Sequence, residues 1–295
     1  MSGYKLQLKE SAERAGNCAC MGLDPQWDVL PYRSGNIRED VVRFFSELFE
    51  AMVKAHLSPA AFKPNIGYYH ALDNPRKGEF EGSLALADVL NLLAQLFPGI
   101  PVILDSKRGD IARSSANYAH EAFAIWQCDA VTASPYMGTD SVSPFDEHYE
   151  GSRGIYLLNR TSNPGAKDLQ DLSIVDDSGD LEPLYMAVAR KIAQWSLTFE
   201  GIGAVVGATS LQELKQIAAY LGTYEVPLLI PGVGSQGASA QKTLHVLQST
   251  LYPVQNARIN SSSALTHPWK QAPAPENWLD LCIANIKNLC EETSL

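Results

Sequence analysis

The sequence predicts a single-domain (β/α)8 TIM barrel spanning residues 1–295. Three observations lead there. Short apolar runs alternate with longer amphipathic ones almost from end to end. The alternation repeats eight times. The length of 295 residues suits one closed α/β barrel better than two average domains. Repeated strand–helix units imply parallel strands joined by crossover helices. An open doubly wound sheet is the competing arrangement, but its G-x-G-x-x-G first turn is missing. Gly22-Leu23-Asp24-Pro25 stands there instead.

Taken in order, the apolar runs predict strands at 18–23, 60–64, 101–105, 130–133, 154–158, 204–207, 227–230 and 254–259. The segment 41–55, VVRFFSELFEAMVKA, repeats apolar residues at spacings of three and four, which is the period of a helix with one buried face. Segments 84–96, 111–127, 184–197, 211–221, 240–248 and 277–289 share that pattern, and 139–149 carries it only weakly. Two stretches read as long loops: the acidic 163–180 and the proline-bearing 265–276. Loops of that length in a compact domain are often lids or binding loops.

Composition narrows the function. Hydrophobic residues make up 45% of the chain, enough for a large core, and the formal net charge is -10. No basic stripe is present, so nucleic acid is not the expected partner. One small phosphorylated ligand remains compatible, because a single anion needs only local donors. The five cysteines, Cys18, Cys20, Cys128, Cys282 and Cys290, lack both disulfide-framework and zinc-ligand spacing. Cys18 and Cys20 read as small buried residues of the first strand. The polar N-terminal stretch has no apolar signal-peptide core, and no run approaches a membrane span. A cytoplasmic protein fits these features.

In a barrel, functional side chains stand at the C-terminal ends of strands. Those positions hold Asp24, Lys63, Asp105, Lys107, Asp110, Ser162, Gly207, the stretch 232–237 and the stretch 260–263. Asp105 and Lys107 are two apart, so an extended chain turns both to one face, at the rim of the core formed by Val102, Ile103 and Leu104. A solvent-facing ion pair is their plain reading. Asp110 opens the next helix, where a simple N-cap is the plain reading. Lys63 ends an apolar strand and needs a carboxylate partner, for which Asp105 and Asp110 are the candidates. A Lys–Asp–Lys–Asp array would keep each charge paired and hold ammonium groups fixed for proton delivery to a developing carbanion. After the seventh strand comes PGVGSQG at 231–237, ahead of a helix. Its glycines permit close approach of an anion to backbone N–H groups, in the loop where barrels commonly hold phosphate. An ordinary turn is the alternative.

The combination of GLDP at 22–25, FKPNIGYY at 62–69, DSKRGDI at 105–111, RTSNPGA at 160–166 and PGVGSQG at 231–237 resembles orotidine 5'-phosphate decarboxylase, most closely its longer bacterial branch. The matches run in family order along almost the whole chain. The resemblance implies decarboxylation of orotidine 5'-monophosphate to UMP, the last step of de novo pyrimidine biosynthesis, with no cofactor and no metal. It implies that Asp24 binds ribose hydroxyls and that Lys63, Asp105, Lys107 and Asp110 form a charged tetrad, with Lys107 donating the proton to C6. It further implies a homodimer with shared sites, in which Asp110, Ile111 and Ser114 reach the other subunit's site. Ser162 would contact the pyrimidine and meet Gln236 as the phosphate loop closes, with Gly234 and Gly237 shaping that loop.

One position departs from the family pattern. The last strand ends Asn260-Ser261-Ser262-Ser263-Ala264, and Ser263 stands where the family usually carries an arginine that clamps phosphate. A lost guanidinium removes a charge-assisted anion contact. The hydroxyls of Ser262 and Ser263 and nearby backbone N–H groups are the substitutes on offer. Arg258 is near in sequence, but alternation does not show which way it points. Two other readings stand beside the decarboxylase. One is a Mg2+-dependent phosphosugar barrel enzyme of the hexulose-phosphate synthase type, against which Lys63 weighs, because that relative has an acidic residue there. The other is a non-catalytic nucleotide-binding descendant, suggested by Ser263.

Overall fold

The computed structural model describes residues 3–147, 149, 151–175, 178–234 and 237–295. Its strands are β1 (Ala19–Leu23), β2 (Ala61–Pro64), β3 (Ile103–Arg108), β4 (Ala130–Ala133), β5 (Gly154–Arg160), β6 (Ser173–Val175), β7 (Leu181–Pro183), β8 (Ile202–Val206), β9 (Leu228–Ile230) and β10 (Ala257–Ser261). Eight of them form one sheet in the order β2-β1-β10-β9-β8-β5-β4-β3, and every ladder in it is parallel. Single bridges from Phe62 to Val102 and from Asn65 to Asp105 join β2 to β3 and close the ring.

The helices are α1 (Tyr4–Ala15), α2 (Ile37–Lys54), α3 (Ile66–His70), α4 (Glu81–Leu96), α5 (Ala112–His120), α6 (Thr139–Val142), α7 (Leu184–Ser196), α8 (Leu211–Gly222), α9 (Ala240–Ser249), α10 (Ser263–Thr266) and α11 (Trp278–Glu292). The larger core lies between barrel and helices, where Phe44, Phe45, Phe49, Phe62 and Phe97 form a chain of edge-on, tilted and stacked ring contacts. A smaller core fills the barrel itself: Cys20, Ala61, Ile103, Ala130, Tyr156, Val205 and Leu229, one residue from each of seven strands. This is the packed interior expected of a barrel, whose strands turn alternate side chains inward.

The helix α1 is absent from the sequence prediction. Its buried face consists of Tyr4, Leu8, Ser11 and Ala12, too narrow a stripe to stand out of a polar segment. It plugs the floor of the barrel, where Tyr4 Oη donates to Tyr156 Oη at 3.2 Å and the two rings meet edge to face. Arg258 lies in the same place, fully buried. Its guanidinium donates to Leu8 O (2.6 Å), Ser11 Oγ (2.7 Å), Ala60 O (3.2 Å), Gln255 O (3.0 Å) and Ala257 O (2.7 Å).

Four predicted elements need correction. The last strand is 257–261 rather than 254–259, because Val254–Asn256 is a 3-10 turn that places Asn256 in the core. The 139–149 segment is helical only over Thr139–Val142, then tightens into a 3-10 turn at Ser143–Phe145, where Pro144 carries no N–H to extend the helix. The 111–127 helix stops being α at His120 and finishes as one wide π turn, Glu121–Ile125. The 163–180 loop contains β6, which pairs antiparallel with β7 just beyond it. The four buried cysteines and the half-buried Cys290 are all free thiols, with Cys18 just ahead of β1 and Cys20 within it.

Candidate functional site

A cavity of about 420 Å³ opens at the C-terminal ends of the strands. Its wall includes Asp24, Lys63, Asp105, Lys107, Ser162, Ser262 and Ser263, all of which the sequence had placed at strand ends. The barrel geometry explains their convergence. Parallel strands end on one side, so residues distant in sequence share one mouth.

Asp105 is the hub. Its Oδ2 accepts from Lys63 Nζ at 2.9 Å and its Oδ1 from Lys107 Nζ at 2.6 Å. Thr132 Oγ1, on the neighbouring strand β4, donates to the same Oδ1 at 2.8 Å. Burial opposes ionisation of Asp105, but the two ammonium groups outweigh it and hold the carboxyl well below the usual carboxylate range. Burial likewise opposes charge on Lys63, and Asp105 and Asp24 overcome it, so the lysine stays protonated above its ordinary value. The two lysines differ in access. The Lys63 side chain is 4% exposed, whereas that of Lys107 is 49% exposed. Lys63 therefore sets the charge and position of Asp105, and Lys107 presents its ammonium to the cavity.

The backbone at Lys107 is left-handed, with φ at 47°. A non-glycine residue there is strained, and such strain collects where a site over-determines the conformation. Thr132 Oγ1 accepts from the N–H groups of Ser106 (3.0 Å) and Lys107 (2.9 Å), so one hydroxyl holds both the carboxylate and the strained backbone.

Asp24 follows β1, and its Oδ1 accepts from the Asn65 N–H at 3.1 Å. Asn65 in turn caps α3, accepting from the Gly67 N–H at 3.0 Å. Gly22 is required by close approach: a Cβ there would stand 1.8 Å from Ser262 Oγ. In the glycine loop, Gly234 and Gly237 adopt φ of 83° and 88°, and the Gly237 N–H closes the turn onto Gly234 O at 2.9 Å. Gln236 lies outside the described residues. Arg258 points to the barrel floor, spending its donors on α1 and the strand starts, and so does not serve the phosphate end.

Asp110, Ile111 and Ser114 do not line this cavity. Asp110 is not joined to the Lys63–Asp105–Lys107 hub, so the fourfold array is threefold within one chain. Nor does it cap α5 as the sequence suggested: the N-cap is Ile111, and Asp110 Oδ1 accepts from the adjacent Ile111 N–H at 2.7 Å. Ile111 and Ser114 are exposed, as are Tyr136 and Met137 of the next strand's loop.

Sequence reasoning missed Thr132, Asn65 and His267. Thr132 carried a signal, as the sole polar residue of the run AVTA. Asn65 and His267 carried none, because their roles arise from side chains met only on folding.

The comparisons with known proteins bear on this geometry. The model of the orotidine 5'-phosphate decarboxylase / HUMPS family matches residues 19–246. The chain is 37% identical over 262 residues to an orotidine 5'-phosphate decarboxylase of Cupriavidus taiwanensis, covering 88% of each chain. It is 38% identical over 248 residues to that of Janthinobacterium sp. (strain Marseille), covering 84% of this chain and 83% of the other. Among solved structures it resembles Leishmania donovani OMP decarboxylase, with a TM-score of 0.75, 31% identity and coverage of 99% and 98%. It also matches Leishmania donovani UMP synthase, with a TM-score of 0.75 and 32% identity, where it spans 55% of the longer chain.

Proposed function

From its place in the orotidine 5'-phosphate decarboxylase / HUMPS family, to which this chain belongs, we propose that the cavity converts orotidine 5'-monophosphate to UMP, with Lys107 as the proton donor. The observation that carries this reading is one buried carboxylate holding two lysines of the cavity wall, one buried and the other half exposed. The C6–carboxylate bond of the orotate ring breaks, CO2 departs, and the electron pair stays on C6. The Lys107 ammonium stabilises that charge and then transfers a proton from Nζ to C6, regaining one from solvent. A fixed ammonium beside a dry carboxylate needs little reorganisation as charge develops. Asp105 orients Lys107 and faces the departing carboxylate. Asp24, Ser162, Ser262, Ser263, Gly234, Gly237 and Gln236 are assigned to the ribose, base and phosphate. Remote contacts of this kind turn binding energy into positioning.

No cofactor or metal enters this scheme. Where a metal-dependent relative would carry an acidic ligand at the end of β2, this chain has Lys63, already bonded to Asp105. The decisive test follows the absorbance change of orotidine 5'-monophosphate in EDTA, beside Lys107→Ala. Turnover that survives EDTA and is lost in the variant supports the reading. An inert wild-type protein that still binds UMP would favour a non-catalytic nucleotide binder instead.

The assembly we propose is a homodimer with shared sites, supported by Asp110, Ile111 and Ser114 standing outside their own chain's cavity and by the exposure of Ile111, Tyr136 and Met137. Mixing inactive Lys107→Ala and Asp110→Ala proteins would then restore activity, to roughly one quarter of wild type for random exchange in a two-fold dimer. No recovery after verified exchange refutes sharing. Free cysteines and the net charge of -10 support a cytoplasmic enzyme acting on a small molecule rather than on nucleic acid. Among the described residues no helix is long and apolar enough to cross a membrane.

A further inference from the structure

One titratable side chain in the cavity wall is used neither by the Asp105 hub nor by the glycine loop. His267 directly follows α10 and is 2% exposed. Its N–H donates to Ser263 O at 2.9 Å, and its Nδ1 lies 2.9 Å from Thr266 Oγ1. Nε2 is buried and has no hydrogen-bond partner among the described residues. An unpaired buried ring nitrogen is costly in either tautomer, and a ligand in the adjoining cavity would supply what it lacks. The imidazole lines that cavity together with Asp24, Gln26, Gly232, Val233 and Ser263. Among the described lining residues the lysines are Lys63 and Lys107, both bonded to Asp105, and no arginine is present. Where the cavity wall runs from the glycine loop to Ser263, its described lining therefore holds no ammonium or guanidinium of its own, and Lys270 lines a neighbouring pocket that shares Val233, Ser263 and His267 with it.

We propose that His267 is the cation of the phosphate end, its imidazolium Nε2–H donating to an oxygen of the bound phosphomonoester in place of a guanidinium at Ser263. This rests on the reading that the cavity takes a nucleoside monophosphate. His267 is a binding and positioning residue, and takes no part in breaking the C6 bond.

The surrounding charges make the contact conditional on ligand. Burial disfavours the imidazolium and lowers its pKa, with Asp24 acting against that. The other groups facing this region are Lys63 and Lys107 across the cavity, Lys270 on the same loop, and Glu292 and Cys282 on α11. The Cys282 thiol is pushed up to about 12 by burial and stays neutral. A dianion brought to Nε2 reverses the balance, so binding takes up a proton.

The test is calorimetry of UMP and uridine binding at about pH 8, where the phosphate is already a dianion, in two buffers of different ionisation enthalpy. Wild-type protein is expected to take up a fraction of a proton with UMP and none with uridine. His267→Gln, which keeps a neutral donor, is expected to lose the uptake and to bind UMP roughly tenfold more weakly, with uridine unchanged. In turnover its KM for orotidine 5'-monophosphate rises by more than its kcat falls. Thermal melting checks that the variant folds, and Gln carries the test if His267→Ala does not. Unchanged proton uptake, unchanged UMP affinity, or equal weakening of UMP and uridine would overturn the proposal, the last assigning the ring to the packing of α10. Wild-type protein that neither turns over substrate nor binds UMP overturns the proposed function, and this inference with it.

Discussion

Replacing Thr132 with valine keeps the shape of the side chain and removes one hydroxyl that makes three hydrogen bonds. The hydroxyl donates to Asp105 Oδ1 at 2.8 Å and accepts from the N–H groups of Ser106 at 3.0 Å and Lys107 at 2.9 Å. A hydrogen bond to an ionised group contributes about 1.5–3 kcal/mol. The left-handed backbone at Lys107 stores roughly 1–3 kcal/mol, and its release offsets part of the two lost N–H contacts. The net expectation is a stability loss of about 2–3 kcal/mol. Once released, the Lys107 backbone relaxes toward negative φ and carries Nζ away from Asp105. If the same free energy is lost from the transition state, kcat falls about 100-fold. Urea unfolding gives the first quantity and absorbance-followed turnover at saturating substrate gives the second. Thr132→Ser, which retains the hydroxyl, should keep most of the rate. A valine variant that loses stability but keeps wild-type kcat would refute the link between this hydroxyl and the placement of Lys107.

Three further outcomes are expected. Deleting residues 1–15 strips Tyr4 and Leu8 from the barrel floor and should lower unfolding free energy by about 3–6 kcal/mol, with urea midpoints as the measure and an unchanged midpoint as the contrary result. Arg258→Met removes the guanidinium's five donations to Leu8 O, Ser11 Oγ, Ala60 O, Gln255 O and Ala257 O and should cost about 3 kcal/mol or more in stability, while KM for the folded fraction stays near wild type. The pKa of Asp105 is depressed on folding, so its contribution is fully present above the unfolded value of about 3.9 and is lost as pH falls through the lower folded value. The difference in unfolding free energy between wild type and Asp105→Asn should therefore be flat from about pH 5 to pH 8 and shrink in acid below about pH 4. A difference that grows on acidification would contradict the depressed pKa.

The barrel was legible because its signal is repetitive: seven of eight strands begin within two residues of the expected place, and the exception, β10, is preceded by a 3-10 turn whose apolar Val254 imitates a strand start. The helix α1 escaped because burial of three apolar residues on one narrow face leaves little periodicity to read. Lys63, Asp105 and Lys107 were legible as charges at the rims of apolar runs, where burial demands a partner. Asp110 shares their motif but not their cavity, since the chain turns away after the strained Lys107 and a spacing rule cannot follow such a turn. Arg258 sits one residue from a strand's start in a polar-looking context, and only the presence of α1 beneath it determines that its donors face the floor.

The closure between β2 and β3 differs from every other contact around the ring. There the ladder thins to the single bridges at Phe62–Val102 and Asn65–Asp105, and the Lys63–Asp105 ion pair spans the same gap. The pair is thus a clasp across the seam as well as part of the hub proposed to carry the reaction. Any breathing of the barrel along this line would pull Lys63 from Asp105 and loosen the grip on Lys107 at the same moment. Mechanical integrity and chemical readiness are tied to one pair of atoms, so substitutions that stiffen the seam from outside, where β2 and β3 meet their helices, are a route to tuning the reaction without touching a residue that meets the substrate.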